Sequence, residues 1–247
     1  MPKTRILPAD LKLSSSLNAL SDVGEKTSYH LALGADDNTN GDGVGIAFSR
    51  STGQTNIGAA IIFERTASNS KGELQFYTKT SAVAGADPVK ALTVTSDSEI
   101  LQHAQPAFSA YRSSYQTNIS SGGTIIWNAE SFDPGSNFNT STGVFTAPVT
   151  GKYLLAYSVD VSSLDVGASY YWLHLITSNM NYYGPYIPVN LLLSLDGRMT
   201  FQNTVIADMD ASDTAHITLQ WGAGGTTQAD IVGGGSQYSW FHGWLLG

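Results

Sequence analysis

The chain contains no cysteine, which removes disulfide bonds, thiolate metal ligands and thiol nucleophiles together. Only 13% of its 247 residues are charged, against roughly 25% in ordinary soluble domains. The deficit is heaviest in cations, with 12 Lys and Arg against 20 Asp and Glu and a net charge of −8. A nucleic-acid surface needs a concentrated positive patch, so that class of partner is excluded. No run approaches the roughly 18 apolar residues of a spanning helix, and no membrane insertion is expected. The opening MPKTRILPADLKLSSSLNAL lacks the roughly 7–15-residue apolar stretch of a secretory signal, which favours a particle-borne protein over an exported adhesin.

Catalytic motifs are missing too. There is no G-x-S-x-G elbow, no P-loop and no H-E-x-x-H, and GDGVGI (41–46) carries Ile46 where a dinucleotide fingerprint needs its third glycine. The five histidines, His30, His103, His174, His216 and His242, are scattered. They read as structural or interface residues, although one histidine per chain around a three-fold axis would supply three metal ligands. No catalytic residue is assigned and the chain is read as non-enzymatic.

What is present is glycine (25), tyrosine (12) and abundant Ser, Thr and Asn, a composition suited to strands and polar turns. A compositional shift near residue 104 divides the chain: residues 1–104 hold 9 basic and 11 acidic side chains, residues 105–247 hold 3 and 9. Three segments are expected: an extended attachment segment over 1–26, with at most a helical turn at 11–20; a smaller β-rich shaft over 27–104; and a head over 105–247. The shaft offers short runs at 29–35, 43–51, 57–66, 72–80 and 89–96, separated by turn chemistry, and 94–105 reads as a hinge. In the head, segments at 106–112, 123–128, 130–132, 143–146, 151–161, 168–177, 187–195, 199–208, 214–221 and 238–246 predict ten strands. Alternation is clearest at Tyr153-Leu155-Tyr157-Val159 and Ala215-Ile217-Leu219-Trp221.

The stretch TGVFTAPVTGKYLLAYSVD (142–160) organises the rest. Its T-G-x-F-x-A-P-x-x-G-x-Y pattern resembles the central signature of the complement component 1q globular-head family, which shares its fold with the tumour necrosis factor superfamily. QPAFSAYRSS (105–114), VIADMDASDTAHITLQW (205–221) and YSWFHGWLLG (238–247) fall where that family places its opening, penultimate and closing strands. The resemblance spans about 105–247 and implies an all-β, ten-stranded jelly-roll sandwich that forms a homotrimer and binds other molecules without catalysis. The Gly-x-y collagen stalk of animal members is absent. Residues 43–96 are similar instead to distal shaft segments of bacteriophage tail fibres, implying three intertwined chains. A single copy is expected to hold too little interior, so that three complete one another's packing.

Candidate contacts follow. SNMNYYGPYIP (178–188) gathers Asn179, Asn181, Tyr182, Tyr183 and Tyr186, whose rings can stack on sugars or proteins while the amides hydrogen-bond; the alternative is that these tyrosines line the interface between copies. The loops at 133–142 and 222–237 are further flexible candidates. Some relatives of the resembled family bind calcium near the trimer apex, which makes Asp208, Asp210 and Asp213 candidate ligands, with Asp213 also expected to brace its turn. No other cofactor is expected. DDNTNGDG (36–43) matches the first half of an EF-hand through Asp36, Asn38, Asn40 and Gly41, but Ala47 stands where the bidentate Glu is required, so a hairpin loop is expected. The expected role is a bacteriophage fibre or spike, located on the virion, whose head contacts a host-surface glycan or protein and whose N-terminal region contacts other virion proteins. The rivals are a secreted lectin-like or adhesive module, outside a cell, an enzyme degrading surface polysaccharide, and a structural virion decoration.

Overall fold

Short runs of β-branched and aromatic residues, closed off by Gly, Asn and Ser turns, favour pairing into sheets over helix. The computed structural model describes residues 33–34, 38–52, 56–165, 167–189, 197–222 and 229–247, and every regular element among them is a strand. The all-β class expected from the sequence is therefore what is found. The chain divides into two units, Met1–His103 and Ala104–Gly247. The helical turn at 11–20 lies outside the described residues, as does nearly all of the strand expected over 29–35.

The described residues of the first unit form one antiparallel sheet in sequence order: β1 (Gly43–Phe48), β2 (Ala59–Arg65), β3 (Gly72–Thr78), β4 (Val89–Val94) and β5 (Ile100–Gln102). The expected hinge over 94–105 is instead a hairpin: residues 95–99 turn the chain so that β5 pairs with β4. Sequence reading missed β5 because three exposed residues carry no periodicity. The register sorts most side chains by polarity, with Ile62 and Leu101 on the more polar face and Gln102 on the apolar one. One face collects Val44, Ile46 and Phe48 beside Ile61 and Phe63, then Leu74 and Phe76, Leu92 and Val94, and Ile100. The other is largely polar: the buried Gln75 amide donates to Glu64 Oε2 at 2.8 Å and Glu73 Oε2 at 3.2 Å, and Tyr77 Oη donates to Gln75 Oε1 at 2.7 Å. Among the described residues of this unit no second layer covers the apolar face, and Ile46, Phe48 and Ile100 are 42%, 53% and 65% exposed.

The second unit is a two-sheet sandwich. Its strands are β6 (Ala107–Tyr111), β7 (Gln116–Ile119), β8 (Gly123–Thr124), β9 (Ala129–Phe132), β10 (Phe138–Asn139), β11 (Val144–Thr146), β12 (Gly151–Ser162), β13 (Tyr170–Thr177), β14 (Asn181–Pro188), β15 (Met199–Met209), β16 (Thr214–Trp221), β17 (Ala229–Ile231) and β18 (Trp240–Leu245). One sheet runs β10-β11-β16-β13-β14, with β8 also on β16; the other runs β7-β17-β12-β18-β6-β9, with β15 along the opposite edge of β12. All pairings are antiparallel. This is a jelly-roll arrangement, its two inner faces closing on one core.

The organising stretch now has a physical account. Gly143 turns with φ +73°, and a Cβ there would stand 2.3 Å from the Ile125 carbonyl oxygen, so only glycine fits. Two residues on, Phe145 enters the core and stacks on Phe108 at 4.7 Å. Ala147 is buried and hydrogen-bonds the turn at Ser212 and Asp213 through its backbone. Tyr153 is fully buried, its hydroxyl donating to the Val149 carbonyl at 2.7 Å.

Three expectations are corrected here. The head is not short of interior: Phe108, Trp127, Tyr153, Leu155, Tyr171, Leu173, Ile217 and Phe241 are fully buried within a single copy. The alternation of β12 and β16 lines both sides of that core, and the head needs no second chain to close it. Thirteen strands are described where ten were expected, because β7, β10 and β17 are two to four residues long and held by pairing rather than pattern. Finally, 178–188 is mostly strand: β14 pairs with β13 along its length and takes in the first two residues of the strand expected over 187–195, of which 190–195 lie outside the described residues.

Candidate functional site

Alternation along β13 sends Tyr171, Leu173 and Leu175 into the core and leaves Tyr170, Trp172 and His174 facing outward. On the neighbouring edge strand, β14, a bulge opposite Leu173 places Tyr183 across from His174 and Tyr186 across from Trp172. Gly184 makes the bulge feasible, since a Cβ there would lie 2.1 Å from Tyr157 Oη and 2.8 Å from the Leu173 carbonyl oxygen. The result is an aromatic plate. Tyr183 stacks on Trp172 at 4.7 Å, Tyr186 stacks on Tyr170 at 4.8 Å, and Trp172 meets Tyr186 edge-on at 5.6 Å. Trp172 is fixed in plane by donating Nε1–H to the Gly184 carbonyl at 2.9 Å. Tyr183 and Tyr186 are 58% and 50% exposed, so each covers an inner ring with one side and presents the other to solvent.

His174 lies beneath this plate, edge-on to Trp172 at 4.5 Å and to Tyr183 at 4.8 Å. It is 4% exposed, and burial pushes its imidazole below the ordinary value, which keeps it neutral at neutral pH. Among the described residues its Nε2 has no hydrogen-bond partner, nor has Oγ1 of Thr218, its buried cross-strand neighbour on β16. The outward positions of β13, β14 and β16 carry no Asp, Glu, Lys or Arg.

The five residues singled out in 178–188 do not share a surface. Tyr183 and Tyr186 face outward in the plate. Tyr182 pairs with Leu175 and packs against the core. Asn181 is exposed at the start of β14. Asn179 braces two turns, its Nδ2 donating to Asp213 Oδ2 at 2.6 Å and to the Asp208 carbonyl at 3.3 Å. Sequence reasoning missed Tyr170, Trp172 and His174; their i, i+2 spacing on one strand face was the available signal.

The acidic turn is also committed internally. Asp213 Oδ2 accepts the Asp210 amide at 2.8 Å besides Asn179, which makes it a turn brace. Asp210 Oδ1 accepts from Thr150 Oγ1 at 3.4 Å, and Asp208 sits at the end of β15. The three carboxylates do not converge, and among the described residues no three His, Cys, Asp or Glu side chains group closely enough to hold a metal ion. In the 36–43 loop, Asp36 lies outside the described residues, while the Asn38 carbonyl and Asn40 Oδ1 both accept from Arg65 Nη1, the second at 2.9 Å. Residues 38–41 are thereby tied to Arg65 at the end of β2, and nearly all of the strand that would complete the expected hairpin lies outside the described residues. His103 bonds Thr93 Oγ1 through Nε2 at 2.9 Å, His216 and His242 are half-buried on strands, and His30 lies outside the described residues. Of the other candidate loops, 133–142 lines an open groove of about 500 Å³ with Ser136, Asn137, Phe138, Asn139, Thr140 and Thr146.

Comparison with solved structures finds similarity to the globular domain of zebrafish complement 1qA, at 18% identity and a TM-score of 0.44 over 58% of this chain and 98% of that one. The Eiger TNF of S. frugiperda matches at 11% identity and a TM-score of 0.42, over 58% and 93%. Murine APRIL matches at 8% identity and a TM-score of 0.39, over 57% and 99%. No curated protein matches the sequence. The family model described as the C1q domain matches residues 107–246, more than half of the chain. This chain belongs to the C1q domain family.

Proposed function

We propose that the chain is the trimeric fibre or spike protein of a bacteriophage particle, attaching through its C1q head to a glycan or protein on the host surface. The observation that carries this reading is the contrast between the two units. The head closes its own core, whereas the described residues of the first unit form a single sheet with one apolar face and one largely polar, hydrogen-bonded face. A sheet face of that composition is stable only when another layer lies about 10 Å above it. Copies of the same chain supply such a layer symmetrically, and a stalk built this way carries three heads. Low charge and absent cysteine support a particle-borne fibre, in which residues 43–96 are read as the shaft and the N-terminal region contacts other virion proteins. Three modest sites on one stalk raise apparent affinity when they engage together, without any catalytic step.

Immunogold electron microscopy with antibody against the chain tests the particle assignment. Gold at the periphery of virus particles is the expected result. The chain appearing only in secreted cellular material, with unlabelled particles, would replace this reading with that of a cellular adhesive module.

A further inference from the structure

We propose that the outward plate of β13 and β14, formed by Tyr170, Trp172, Tyr183 and Tyr186, binds an uncharged oligosaccharide. The inference rests on the attachment reading above and assigns its site and ligand class. Pyranose rings present flat C–H faces ringed by hydroxyls, and stacked aromatic faces with hydrogen-bonding groups at their margin are the complementary surface. Here the open faces of Tyr183 and Tyr186 supply the stacking surface. The outward positions along β13 from Tyr170 to His174 span about 13 Å at the usual strand rise, enough to extend past one sugar ring. Asn181 and Gln220 lie at outward register positions beside the rings.

A second observation points the same way. His174 Nε2 and Thr218 Oγ1 are buried on this face without partners among the described residues, and orphaned buried polar atoms are costly and uncommon. Exposed tyrosines change rotamer on the picosecond-to-nanosecond scale, so Tyr183 can swing from above His174 and admit a ligand hydroxyl. With His174 neutral and no charged outward residue on these strands, the plate offers nothing to an ionic group. A second copy of the chain is the less suitable occupant. The first unit's face, proposed above as the contact between copies, is dominated by Ile, Leu, Val and Phe side chains, whereas the plate combines rings with imidazole, hydroxyl and amide groups.

The test applies the full chain to an array of neutral gluco-, galacto- and N-acetylglucosamine oligosaccharides beside their sialylated and sulfated counterparts. Hits are then titrated by tryptophan fluorescence. At least one neutral sugar is expected to bind, its charged counterpart no more tightly. The double variant Tyr183→Ala/Tyr186→Ala should weaken that binding tenfold or more, and Tyr183→Phe/Tyr186→Phe should retain most of it. Thr218→Val should weaken it several-fold while leaving the melting temperature unchanged or raised. The proposal is overturned by an array on which no neutral sugar binds. It is equally overturned if the alanine pair binds as the parent does, if Thr218→Val leaves affinity unchanged, or if the alanine pair alters the mass of the assembly, which would make the plate a contact between copies. Binding to bacterial cells by flow cytometry separates the two levels. Attachment that persists in the alanine pair removes the sugar plate and keeps the attachment reading, and a parent chain that attaches to no cell removes the attachment reading itself.

Discussion

Phe108 is the residue on which the head's core turns. It stacks on Phe138 at 4.8 Å and Phe145 at 4.7 Å and meets Phe241 edge-on at 4.9 Å, joining strands of both sheets. Phe108→Ala is expected to cost about 3–5 kcal/mol, since the rings around it cannot collapse into the space, and near-ultraviolet circular dichroism during thermal melting would register it. A melt like the parent's would contradict the packing described. The histidines give a residue-scale dependence on pH. Burial holds His174, His216 and His242 below the ordinary imidazole value. Between those lowered values and the unfolded value of about 6.5, the unfolded chain binds more protons than the folded one. Stability is therefore complete above about pH 6.5 and falls as the pH drops through the lowered values. Glu130, raised by burial and by Asp133, acts in the opposite sense but is exposed. The head's melting temperature should decline from pH 7.5 to pH 5, and a flat profile would contradict it. Single residues were legible where backbone demand left no choice: the turn at Gly143 and the core positions Phe145 and Tyr153 follow from the motif. The orphaned His174 was not legible, because nothing local distinguishes a half-covered histidine from one under two rings.

At the scale of elements, alternation and turn chemistry marked β1 to β4 and the long strands β12, β15 and β16. What they could not mark was β14. Its NYYGPYIP composition has the tyrosines, asparagine, glycine and proline of a recognition loop, and only pairing with β13 and the bulge at Gly184 make it a strand. Proline is tolerated there because β14 is the edge of its sheet. Gly184→Ala should destabilise the head by about 1–3 kcal/mol, the cost of overpacking against Tyr157 and the Leu173 backbone, and should disturb the stacking of Tyr183 on Trp172. Hydrogen exchange of β14 amides, faster in the variant, is the readout; unchanged protection would mean that the bulge does not depend on glycine. The sheet of the first unit makes a separate demand. Ile46→Glu with Leu74→Glu places charges on its apolar face and leaves the sequence of the head unaltered. The pair should dissociate the assembly, seen by light scattering, while the head's near-ultraviolet spectrum stays as in the parent. An unchanged mass would mean that this face is not where copies meet.

On the scale of the whole molecule, two units solve the same burial problem differently. The sandwich folds two sheets onto each other and so stands alone, and its surface is free to recognise a ligand. The single sheet has an apolar face with no covering layer among its described residues, and the account assigns that layer to further copies of the chain. Composition, taken alone, suggested that the whole chain lacked interior; among the described residues the shortage is confined to the first unit, because the head's alternating strands occur in two sheets and the first unit's in one. Analytical ultracentrifugation of the full chain at micromolar concentration decides the matter most directly. A single species of about three times the 26.3 kDa of one chain is expected. A stable species with the mass of one chain would contradict it.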